Sequence, residues 1–166
     1  MEEYLNEVQA RFAFYKDLAE RAIAQLSEED LYYTPDPLSN SIALILKHLV
    51  GNLRSRWHHF LTEDGEKPDR HREREFILEP EDRPDKLRQA WEEAWSIVFG
   101  ELAALRPEDL KRTVTIRQEP HSVIQAIERS LTHTAYHVGQ IVYIAKHRKG
   151  PDFQSLSIPR GGLSSR

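Results

Sequence analysis

Apolar residues recur at spacings of three and four in four long segments, and charged residues fill the positions between them. From about Glu2 to Gln25 the row Leu5, Val8, Phe12, Tyr15, Leu18 and Ala22 makes one apolar stripe, which predicts an amphipathic helix. A second helix is expected from about Ser41 to Leu61, with Ile42, Ile45, Leu49, Leu53 and Phe60 as its stripe. Asn40 or Ser41 stands at its cap position, and Asp64-Gly65 follows its end. A third is expected from about Pro84 to Leu105, where Pro84 suits the first helical position and Leu87, Trp91, Trp95, Val98 and Leu102 form the buried face. The fourth is expected from about Ser122 to His147, with Ile124, Ile127, Leu131, Thr134, Val138, Ile141 and Ala145 inward. Basic residues lie in its last turn and Gly150-Pro151 closes it, as the helix dipole and backbone sterics favour. Four stripes that must bury one another predict an all-α, four-helix bundle in a single domain over residues 1–166.

The connections differ in character. Leu26 to Asn40 carries Pro35 and Pro37 and leaves room for a short helical turn. Thr62 to Arg83 is long and charged, and a connection of that length is expected to be mobile or functional. Arg106 to Pro120 contains Thr113-Val-Thr-Ile-Arg-Gln118, whose weak alternation suggests an extended stretch. The tail, 150–166, is rich in Ser, Pro and Gly.

Composition narrows the function classes. The chain has no cysteine, so disulfides, thiolate metal ligands and a cysteine nucleophile are excluded. No run approaches the roughly 20 apolar residues that span a bilayer. The opening MEEYLNEVQARF lacks the basic and apolar regions of a secretory leader, so a cytoplasmic location is expected. A net charge of -4 with mixed signs argues against nucleic acid as the main partner. The short basic runs Arg70–Arg74 and Lys146–Lys149 are expected to be solvated surface.

The candidate chemistry lies in histidines. His133 and His137 are four apart and share one helix face, so two imidazoles can reach one metal ion. At ~100° per residue both stand to one side of the inward row Thr134, Val138 and Ile141, at the core border. Their polar row continues through Ser130 and Gln140. A third ligand must come from another helix. His147 lies ten residues beyond His137, about 15 Å along the helix, and His121 lies twelve residues before His133, so both are too far. His58 and His59 are adjacent and cannot face one point, and His71 sits in the charged connection. His48 is the best candidate, on a row with Ser41, Leu44, Asn52 and Ser55 beside the apolar stripe. The same pattern also describes boundary histidines hydrogen-bonded at the bundle surface. If the three converge, neutral imidazoles suit zinc, nickel, iron or cobalt and leave a coordination position open. There is no Gly-rich phosphate loop, no GxSxG, no HExxH and no Glu-x-x-His pair of a di-iron bundle. Trp91 and Trp95 are expected in the core.

These residues resemble the DinB/YfiT-like superfamily of metal-dependent bundles. The resemblance rests on one histidine in the second helix, His48, and on an HxxxH pair followed by VGQ, here His133 to Gln140. The segment SIALILKHLVGNLRSRWHHFLTEDGEKP and the stretch Ser155 to Gly161, SLSIPRG, are similar to a bacterial subfamily of unassigned function. That subfamily usually carries Trp and Asn where this chain has Asp69 and His71. The resemblance implies an up-down-down-up bundle, a homodimer, and a divalent ion on His48, His133 and His137. Zinc or nickel is the first expectation, with iron, cobalt and manganese as alternatives.

Some members of the superfamily are transferases or isomerases that use low-molecular-weight thiols, so the resemblance makes a thiol S-transferase or a hydrolase acting on a small molecule one expectation. Asn52, Ser55 and Gln140 are then candidates to bind substrate, and the DGEKP and SLSIPRG segments are candidates to cover the pocket. The competing expectations are a non-catalytic bundle stapled by metal and a stress-response binding protein.

Overall fold

The computed structural model describes residues 1–158, so the end of the tail, including the second half of SLSIPRG, lies outside the described residues. Four helices carry the fold: α1 Glu2–Ile23, α2 Ile42–Trp57, α3 Pro84–Ala104 and α4 Val123–Lys149. Local chemistry sets their ends. Ser41 caps α2 by accepting from Leu44 N, and Pro84 opens α3. Ser122 and Gln125 form a reciprocal capping box at the start of α4.

Hydrogen bonds and ring contacts fix the directions. Tyr4 donates to Glu128 at 2.8 Å, near the starts of α1 and α4, while Gln25 and Gln154 pair beyond their ends. These two helices are therefore parallel. Lys47 pairs with Asp82 and Arg54 with Glu93, so α2 and α3 also run together. Phe12 meets Trp95, and Glu20 accepts from Trp91, so α1 opposes α3. The order is up-down-down-up, as the resemblance implies.

The stripes meet as expected. Phe12, Ile45, Leu49, Leu53, Trp57, Trp95, Val98, Ile127 and Ile141 are among the fully buried side chains. Phe12 packs edge-on against Trp57 at 5.4 Å, and the Trp57 indole donates to Ser130 Oγ at 2.9 Å. One boundary differs. The second helix stops at Trp57 instead of Leu61, because His58 turns extended and His59 adopts φ 53°. Phe60 still reaches the core beyond the break, stacked on Trp57 at 4.7 Å, which is why the apolar stripe reads on past the helix end.

The extended stretch is a hairpin, β1 Thr113–Ile116 and β2 Glu119–Ser122, paired antiparallel. Its two turn residues, Arg117 and Gln118, have φ of 56° and 65°, a region that normally favours Gly or Asn. The Asp64 carboxylate accepts from both of their backbone N–H groups, at 2.8 and 2.7 Å, and from Glu66 N at 2.7 Å. Burial would raise the Asp64 pKa, but these bonds outweigh it and hold it at about 2.

The long connection is ordered by such contacts. Ser55 Oγ donates to Gly65 O at 2.9 Å and accepts from Lys67 N at 3.0 Å, which ties the DGEKP segment to α2. A short 3-10 turn, Arg72–Phe76, then packs on α2. Arg70 is not part of a solvated basic run, since its side chain is buried against Glu66 and Glu75.

Candidate metal centre

His48 lies mid-way along α2, and His133 and His137 lie one turn apart on α4. The two helices run in opposite directions, as the contacts His48 to His133 and Trp57 to Ser130 require. Their two polar rows therefore face one another. One nitrogen from each imidazole lies within 4.8 Å of the others. The Nε2 atoms of His48 and His133 are 3.1 Å apart. That is close to the roughly 3.3 Å separating two donors on a tetrahedral ion with bonds of ~2 Å.

The outer nitrogens explain how two of the rings are oriented. His48 Nδ1–H donates to Glu75 Oε2 at 2.8 Å, and His137 Nδ1–H donates to Gln140 Oε1 at 2.8 Å. A carboxylate and an amide oxygen only accept, so these partners put a proton on Nδ1 of His48 and of His137 and turn each Nε2 toward the other rings. His133 Nδ1 is buried with no hydrogen-bond partner among the described residues. Three clustered imidazole nitrogens, with accepting partners behind two of the rings, fit a divalent cation.

Electrostatics favours the ligand form. Burial pushes His133 down to about 3, with further lowering from His137, His48, Arg56 and Arg70. Burial also lowers His137, against the opposing bond to Gln140. For Glu75 burial acts upward, but the hydrogen bonds from Arg70 and His48 prevail and keep it below the usual carboxylate range.

The surroundings are aromatic and charged. The Phe76 ring lies over His48 at 4.7 Å, and the Tyr136 ring meets His137 at 4.9 Å. Both are solvent-exposed, Phe76 by 42% and Tyr136 by 64%. A cleft of about 640 Å³ lined by Lys47, Gly51, Ser55, Arg70 and Glu75 opens beside Glu75. Another of about 700 Å³, lined by Leu38, Ile45, Tyr136, Gly139 and Gln140, opens beside Gln140. The outer partners of the imidazoles line these clefts, and the imidazoles themselves do not.

The chain matches the DUF1572 family, described as a protein of unknown function, over residues 1–162. It belongs to this family. DUF1572 is part of the DinB/YfiT-like superfamily, so the resemblance carried by the histidines extends to the whole chain. No curated protein matches it.

In this DUF1572 chain the sequence-expected residues fare differently. The three candidate ligands meet. Gln140 bonds to His137, and its Nε2 also donates to Tyr136 OH at 3.2 Å. Asn52 is buried one turn along α2 from His48 and makes no side-chain hydrogen bond among the described residues. Ser55 has its hydroxyl engaged by the DGEKP segment. His58, His59, His71, His121 and His147 lie outside the cluster, and His147 stacks on Tyr33. Sequence reasoning missed Glu75 and Arg70, which sit in a stretch without periodicity where neighbouring charges look alike. The one local signal was Gly51, a helix-interior glycine that marks a close approach.

Proposed function

We propose that this protein binds one divalent metal ion through His48, His133 and His137 and uses it in a reaction on a small molecule. The convergence of three imidazole nitrogens from two helices carries the reading. Zinc or nickel suits a neutral histidine set best, and iron, cobalt and manganese remain compatible with it. A bound ion would supply Lewis acidity, lowering the pKa of a water or thiol at a position the three histidines leave open. The reading therefore points to a thiol S-transferase or a hydrolase.

The chain's own residues would do the rest. Glu75 and Gln140 hold the rings of His48 and His137 in the donor tautomer. Asn52, buried one turn along α2 from His48 and without a side-chain hydrogen bond among the described residues, would orient a polar group of the substrate. The exposed rings of Phe76 and Tyr136 offer an apolar edge. A cytoplasmic homodimer without a nucleic-acid partner completes the proposal. It is supported by superfamily membership and the acidic charge balance.

The test is elemental analysis of the purified wild type beside His137→Ala, followed by thiol–electrophile conjugation and ester hydrolysis assays with and without chelator. Stoichiometric metal in the wild type, its loss in the variant and chelator-sensitive turnover are expected. Full occupancy in His137→Ala would sink the ligand assignment. A second reading, a metal staple without turnover, is favoured by the two neighbouring clefts, neither of which is lined by His48, His133 or His137. A cobalt-loaded protein whose visible spectrum ignores added thiol would support it.

A further inference from the structure

We infer that Glu75 is a positioning residue for the three-histidine site, fixing His48 as a donor, and that Arg70 in turn fixes Glu75. The inference rests on the metal-binding reading and deepens it.

The geometry is specific on every side of the carboxylate. Glu75 Oε2 accepts from His48 Nδ1–H at 2.8 Å and from Arg70 Nη2 at 2.9 Å, while Oε1 accepts from Arg70 Nε at 2.7 Å. Arg70 thus holds both oxygens in one plane, the bidentate fork that restricts a carboxylate most. The side chains are nearly sealed, 5% exposed for Arg70 and 9% for Glu75. Arg70 is held in turn by Glu66, which also pairs with Arg56 at 3.0 Å and Arg117 at 3.2 Å.

Gly51 supplies the remaining wall. A Cβ there would overlap Glu75 Oε1, and with Arg70 clamping that oxygen the carboxylate has little freedom to withdraw. A buried ion pair is weak evidence for stability, because desolvation opposes the Coulomb gain. A buried pair that also places an acceptor on the outer nitrogen of a candidate ligand has a different use. A carboxylate on that N–H fixes the tautomer, aims Nε2 inward and raises its basicity.

The consequence is a coupling between the segment 62–83 and the ion. The order of the segment sets the donor strength of His48, and by linkage a bound ion must order the segment.

The experiment compares wild type, Glu75→Ala and Glu75→Gln by zinc competition against a chromophoric chelator. Imidazole 15N NMR of each metal-free protein supplies the tautomer. Glu75→Ala is expected to weaken zinc binding by about 10–100-fold. His48 in that variant should move from the Nδ1–H toward the Nε2–H tautomer. Glu75→Gln keeps the shape and an accepting oxygen. It should retain the tautomer and recover part of the affinity, a rescue that a merely structural salt bridge would not give. If Glu75→Ala fails to fold, Glu75→Gln carries the test through an affinity between wild type and the three-histidine knockouts. Wild-type affinity in both variants, or an unchanged His48 tautomer in Glu75→Ala, overturns this inference alone. A wild type that binds no zinc, or that binds it no better than His137→Ala, overturns the metal reading and this inference with it.

Discussion

His48 Nε2 lies 3.1 Å from His133 Nε2, although 85 residues separate them and their helices run in opposite directions. Two ring nitrogens at that distance share at most one proton. An ion between them would join α2 to α4 more firmly than the bare pair. Metal removal is therefore expected to lower the melting temperature. At 100 times the dissociation constant, free metal stabilises by about 2.7 kcal/mol. Calorimetry with and without chelator should show this shift in wild type and none in His133→Ala.

The metal-free protein is expected to lose stability in acid through its buried histidines. His133 is held at about 3 when folded and takes its ordinary value, near 6.5, when unfolded. The unfolded chain then binds more protons between those values, so stability rises with pH across that window. His137 is shifted in the same direction. Melting temperatures from pH 7 down to pH 4 should fall in wild type and fall less in His133→Asn. Equal slopes would show that His133 is not buried in its neutral form.

The four helices were legible in the sequence because each has a long apolar stripe and recognisable caps. His133 and His137 were legible from one turn of spacing, and His48 from elimination. Glu75 was not, because no periodicity orders the 62–83 connection and its partner lies on another element. Neither was the end of α2, where Phe60 continues the apolar pattern after the backbone has already turned. Periodicity reports which side chains are buried, and it is silent on backbone breaks that leave burial intact.

The hairpin turn should depend on a residue far from it in sequence. Asp64 satisfies the backbone N–H groups of Arg117 and Gln118, both left-handed. Asp64→Ala is expected to cost about 1–3 kcal/mol, and Gln118→Gly to gain about 1 kcal/mol. Urea titrations of the two single variants measure both. A stabilised Asp64→Ala would refute the role given to the carboxylate.

Thr134 faces the core with its hydroxyl buried and without a hydrogen-bond partner among the described residues. Thr134→Val removes that group at nearly constant shape. It should raise stability by about 1 kcal/mol, read as a higher denaturant midpoint with an unchanged slope. A loss of stability would mean that the hydroxyl is satisfied in solution, for instance by water.

The helix order has an architectural result of its own. Since α2 and α3 point the same way, the chain must travel back along the 16 residues of α2, about 24 Å, before α3 can begin. The 62–83 connection is thus a return span that the topology obliges, and Glu75 rides on it. The inner imidazoles belong to the scaffold, which cannot vary without losing its core. The carboxylate behind His48 belongs to the return span. The candidate ligands and the carboxylate behind them are in this way encoded on separable stretches of chain.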